Sequence, residues 1–118
     1  MTAYCEDIAN LSLPEPADVV SMADVLEHMP FPVESLGVVR KILRPGGVLF
    51  LSMPNIDSPV WQNLDRNNAN PYWGEIEHYH NFGRERLYKL LSDNGFEPLA
   101  YGVSERYRAC MEVIAKKV

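Results

Sequence analysis

No Gly-x-Gly pair occurs in this chain. Its seven glycines stand at 37, 46, 47, 74, 83, 95 and 102, so none precedes residue 37. That removes the usual loop by which a backbone approaches a bound nucleotide or phosphate. Cysteine is scarce too. Cys5 and Cys110 are too few for a disulfide scaffold and lack metal-site spacing, so they read as reduced thiols of a cytoplasmic protein. No apolar run approaches the roughly 20 residues of a membrane span. The opening "MTAYCEDIAN" has neither the basic end nor the apolar stretch of a signal peptide. Positive charge is in deficit: 11 Lys and Arg against 16 Asp and Glu leave −5, which argues against a broad nucleic-acid footprint. Repeats and low-complexity segments are absent.

What remains is the composition of one ordinary globular domain over residues 1–118, 47% apolar and 23% charged. "ADVVSM", 17 to 22, is a short β-branched run that predicts a strand. "ADVLEHM" turns into a short helix that Pro30 and Pro32 break. From 33 to 43, Leu36, Val39 and Leu43, joined by Val38 and Ile42, form an apolar helical stripe. Arg40, Lys41 and Arg44 lie near its end, and Pro45-Gly46-Gly47 stops it. "VLFLSM" is nearly continuous in apolar residues, the pattern of a strand covered on both faces.

Residues 54–82 form a long aromatic connection, too long for a simple turn, and read as a substrate-side loop or lid. Ser58-Pro59 starts a short helix with Trp61 and Leu64 on one side. "GRERLYKLLSDNGF" predicts a helix capped at Gly95. Two strands, about 96–104 and 107–116, close the chain as an antiparallel pair. The fold class expected is α/β, with a partial, mostly parallel sheet and a C-terminal antiparallel hairpin.

Three segments resemble, in order, the C-terminal half of a class I, Rossmann-like S-adenosylmethionine-dependent methyltransferase: "ADVVSMADVLEHM", "VVRKILRPGGVLFLSMPN" and "HNFGRERLYKLLSDNGFEPLAYG". "EDIANLSLPEPADVV" is similar to the segment after the family's third strand. The resemblance implies S-adenosylmethionine as cofactor of a longer parent, transfer of its methyl group to a small-molecule acceptor, and a truncated chain that is inactive alone for want of the glycine loop. It implies cofactor-binding roles for Asp7, near the donor's adenine, and for Asp24 and Glu27, in the turn beside the donor.

Methyl transfer from a sulfonium needs alignment, exclusion of water and, for some acceptors, a base. His28, His78 and His80 are the candidate catalytic residues. Asn55, Trp61, Tyr72 and Trp73 are candidates for the acceptor pocket, against the plainer readings of a turn residue and core aromatics. "EIEHYH", 75 to 80, also has the residue types of a metal site, but it shows no third ligand, so no metal is expected. A non-catalytic interaction or scaffold remnant of the same fold is the alternative function, and a small metal-binding protein a more distant one. The "ADVVSM" strand is expected at a sheet edge, which makes a homodimer through that edge or the adjoining apolar face the expected self-association.

Overall fold

The computed structural model describes residues 1–118. Its strands are β1 (Ala17–Ala23), β2 (Leu43–Pro54), β3 (Phe96–Val103) and β4 (Cys110–Lys117), and its helices α1 (Pro32–Ile42), α2 (Pro59–Arg66) and α3 (Arg84–Asp93). Single 3-10 turns occupy Ile8–Asn10, Leu26–His28 and Pro71–Gly74. No helix is long and apolar enough to cross a membrane.

The four strands form one sheet in the order β1-β2-β4-β3. β1 and β2 are parallel, while β4 runs antiparallel to both β2 and β3. Three strands therefore share one direction and β4 alone opposes them, giving the expected α/β sheet with its closing hairpin. β1 sits at the edge, as its sequence position implied.

The core lies on one face of this sheet. Leu36 and Val39 of α1 and Leu87 and Leu91 of α3 join Met22, Leu49, Leu51, Met53, Met111 and Val113 in one buried cluster. Both helices cover the same side, so β2 alternates. Leu49, Leu51 and Met53 are fully buried, while Val48, Phe50 and Ser52 are only half-buried. This corrects the reading of "VLFLSM" as covered on both faces: its continuous apolarity does not reveal that α1 and α3 choose one side. On the other side Val19 is 60% exposed.

The stop of α1 also differs from expectation. The helix ends at Ile42, and Leu43 is already extended. Pro45-Gly46-Gly47 instead forms a bulge inside β2, where a step from Ala17 to Val19 in β1 matches a step from Leu43 to Val48 in β2. Gly46 takes φ +71 there, and a Cβ on Gly47 would lie 3.0 Å from the Arg44 carbonyl oxygen, so this turn needs both glycines. Arg44 closes the bulge by an ion pair to Asp18.

The carboxyl ends of β1 and β2 and the start of β4 meet at one end of the sheet, where the register sets Pro54 opposite Cys110. Ligands of open α/β sheets gather at that end. The 54–82 connection folds over it as α2 and the Pro71–Gly74 turn.

Candidate functional site

At the end of β1 the chain turns sharply. Asp24 adopts φ +52, a left-handed conformation that costs a non-glycine residue roughly 1 kcal/mol. Its N–H donates to the Ser52 carbonyl at 2.8 Å, tying the turn to β2. The turn leads into Leu26–His28, where Leu26 anchors in the core and Glu27 and His28 face the sheet end.

Glu27 is the most unusual side chain in the molecule. It is 2% exposed, and neither carboxylate oxygen has a hydrogen-bond partner. Burial pushes its carboxyl above the ordinary range, with His28 pulling the other way. His28 Nδ1 donates to the Glu77 carbonyl at 3.0 Å. A carbonyl can only accept, so Nδ1 carries a proton, and in the neutral ring the lone pair falls on Nε2, which lies 4.0 Å from Glu27 Oε1.

His78 arrives from the lid. Its ring stands edge-on to His28, with centroids 4.5 Å apart, and stacks toward Tyr72 at 6.4 Å. His78 Nδ1 is buried and unpartnered. Burial, then the neighbouring His28, holds its imidazole below the usual value and so favours the neutral ring. Nitrogen or oxygen atoms of Glu27, His28 and His78 all lie within 4.8 Å of one another.

These residues wall a cavity of about 330 Å³, which Asp24, Glu75, Tyr72, Tyr107 and Cys110 complete. Asp24 and His28 also line a second, wider hollow of about 610 Å³ with Val25 and Met29. Val25 and Met29 in turn line a third, also about 610 Å³, whose other walls include Asp7, Ile8, Leu11 and Leu13. The three hollows thus lie side by side from Asp7 to His78, the last two sharing Asp24 and His28 as wall residues.

The candidates fare differently along this row. Asp7 lines the first hollow, although its Oδ1 already accepts the Ala9 N–H at 2.8 Å as a cap. Asp24, Glu27, His28 and His78 come together. His80 does not join them: its ring Nε2 lies 3.4 Å from the Pro30 carbonyl, and its backbone N–H donates to the Glu27 carbonyl, so the backbone here pins the lid to the 3-10 turn.

Asn55 is buried with both amide ends engaged, Nδ2 donating to Tyr101 Oη and Oδ1 accepting the Asp57 N–H. That is the turn-forming role, although Asn55 borders another hollow beside Arg84 and Arg108. Tyr72 lines the 330 Å³ cavity. Trp61 is buried beneath it at 5.1 Å and does not line that cavity. Trp73 is 62% exposed and donates from Nε1 to Asp65.

Tyr107 and Cys110 carried no local signal of a site, because only the pairing of β4 with β2 brings them to this end. Burial raises the Cys110 thiol to about 11, so almost no thiolate forms at neutral pH. Cys5 is exposed. An aromatic disulfide reagent added to the native chain is expected to label one thiol rapidly and the second only after denaturation. Two fast thiols would contradict the packing of Cys110 under Tyr72.

A family model described as a methyltransferase domain matches residues 4–101. No curated protein sequence matches. Among solved structures, a SAM-dependent methyltransferase from Thermotoga maritima aligns at TM-score 0.69 and 18% identity, covering 96% of this chain and 62% of that one. Magnesium protoporphyrin IX methyltransferase from Synechocystis PCC 6803, with bound SAH, aligns at 0.69 and 20%, covering 96% and 49%. An O-methyltransferase family 2 protein from Planctomyces limnophilus, in complex with apigenin, aligns at 0.75 and 15%, covering 96% and 34%. At these identities the likeness is one of fold. The chain spans from about a third to under two thirds of each of these structures.

Proposed function

The chain belongs to the methyltransferase-domain family, and from that premise we propose that it forms the acceptor side of a methyl transfer from S-adenosylmethionine to a small molecule. The observation that carries this reading is the row of adjacent hollows from Asp7 to His78, which share Val25 and Met29 and then Asp24 and His28 as walls.

The donor, when bound, supplies an electrophilic methyl group on a sulfonium. The Asp7 hollow suits its purine end, with Ile8, Leu11, Leu13, Val25 and Met29 as apolar walls and Asp7 as an acceptor for an exocyclic amine. No glycine loop in this chain cradles the rest of it. The residues here therefore make only a share of the contacts, and the 118-residue chain alone binds the donor weakly and turns over little or nothing. The greater length of the structures this chain resembles supports a longer parent that supplies the remaining contacts.

The 330 Å³ cavity takes the acceptor. Tyr72 offers it a ring face, and His28 borders both this cavity and the hollow beside it. The neutral ring of His28 presents its Nε2 lone pair, and burial favours the neutral ring of His78, so either imidazole can accept a proton from an acceptor hydroxyl or ammonium.

An NMR titration with S-adenosylhomocysteine tests the reading. Binding near or weaker than ~1 mM, about −4 kcal/mol, is expected, with shifts confined to Asp7, Val25, Met29 and His28. Shifts scattered elsewhere, or none at saturating ligand, would remove this donor reading. Micromolar affinity would overturn the claim that this chain holds only part of the donor site.

A further inference from the structure

We infer that Glu27, His28 and His78 form a binding site for a divalent first-row transition metal. The sequence shows two histidines close together in "EIEHYH" and no third ligand. The fold supplies the rest from 50 residues upstream and uses only one histidine of that pair.

Four observations converge. Glu27 is buried with both oxygens unpartnered, an arrangement that costs stability unless something cationic completes it. His78 Nδ1 is buried and unpartnered too, and a ring nitrogen of His78 lies near Glu27. His28 is oriented as ligating histidines are: Nδ1–H donates to a backbone carbonyl, which fixes the tautomer and points the Nε2 lone pair toward Glu27. The three donor groups lie within 4.8 Å of one another. Donors at ~2.1 Å from one ion in tetrahedral geometry stand roughly 3.4 Å apart, so closure needs side-chain shifts of under about 1 Å.

The donor set selects the ion class. Two imidazoles and one carboxylate suit Zn²⁺, Co²⁺, Fe²⁺ or Mn²⁺, whereas Mg²⁺ and Ca²⁺ want oxygen donors. Three protein ligands leave positions open toward the 330 Å³ cavity, as in catalytic rather than structural sites. An oxygen-bearing small molecule fits there.

Resting on the methyl-transfer reading, that molecule is an acceptor with a hydroxyl, acidified by coordination. The lone pairs of His28 and His78 then serve the ion, and the acceptor needs no imidazole base.

The probe is Co²⁺, titrated into the chelator-treated full chain carrying Cys5→Ser, which removes the exposed thiol as a competing ligand. Visible d–d absorption that saturates at one equivalent is expected, and Zn²⁺ should displace it. Glu27→Gln and His78→Ala should each weaken binding by at least ~10-fold, the size of a lost supporting contact and a lower bound for a lost ligand. His80→Ala should leave the affinity unchanged. Far-UV spectra of each variant verify folding, and Glu27→Gln introduces no cavity.

Absence of saturable absorption overturns the site. So does an affinity indifferent to Glu27 and His78, or one equally sensitive to His80. The readout is independent of S-adenosylhomocysteine, so a chain that binds Co²⁺ but shows no donor shifts would keep the metal site and lose the methyl-transfer reading.

Discussion

Replacing Trp61 with alanine is expected to melt the lid while leaving the sheet intact. Trp61 is 1% exposed, yet it lies outside the main core cluster. Its burial comes from its own segment: Tyr72 stacks on it at 5.1 Å, and Trp73 meets it edge-on at 5.3 Å. Asp65 holds the far side by accepting from Asn70 Nδ2 and Trp73 Nε1, each at 2.7 Å. Ser58 Oγ caps α2 by accepting the Trp61 N–H.

A tryptophan-to-alanine change at such a site costs about 3–5 kcal/mol. A satellite cluster held by one ring stack cannot absorb that. In hydrogen exchange, amides of α2 should lose protection by ~10² or more, the equivalent of about 3 kcal/mol. Amides of β2 and β4 should keep theirs. Equal loss in the strands would make Trp61 part of the global core, and unchanged α2 protection would contradict its role altogether. Because Tyr72 leads on to His78 and His78 to His28, the same variant should free the His78 ring and raise its titration toward the ordinary imidazole value.

The contrast between what the sequence disclosed and what it hid follows from the range of the interactions. Ser58 as a cap, Gly95 with φ +80 after α3, the stripe of Leu36 and Val39 and the closing hairpin are local signals, set within a few residues. The edge position of β1 was expected, whereas the strand order was not, since β4 lies between β2 and β3.

The site was legible only in part. Asp24, Glu27 and His28 could be placed because they follow a strand. The meeting of Glu27 with His78 spans 51 residues and depends on how the lid folds. Likewise, nothing near Cys110 shows that β4 inserts beside β2 and carries the thiol into the cavity. Asn55 and Trp61 have residue types that suit a pocket, but local hydrogen bonds and ring stacking claim them first.

Glu27→Gln is expected to stabilise the metal-free chain at neutral pH. Burial pushes the folded-state carboxyl above the ordinary carboxylate range. A carboxyl raised in this way binds its proton more tightly folded than unfolded. Stability therefore falls as pH rises from the unfolded value through the folded one, and the full cost persists above it. The surroundings do not reverse this sign. Glu27's own backbone N–H, and His28 where it is protonated, favour ionisation, Asp24 opposes it, and His78 is held toward its neutral form.

Glutamine removes the charge and brings an N–H that can donate to the free His28 lone pair. A gain of about 1–3 kcal/mol at pH 7 is expected, the size of one unsatisfied buried group relieved. The gain should shrink toward pH 4, where Glu27 is itself neutral. Thermal melts of both proteins across that range, in the presence of chelator, measure it directly. A variant less stable than the parent at pH 7 would show that the carboxylate is already compensated within the chain, and the case for an ion between Glu27, His28 and His78 would weaken with it. A stabilised variant that has also lost Co²⁺ binding would mark Glu27 as held against the interest of the fold, which is how a binding group differs from a structural one.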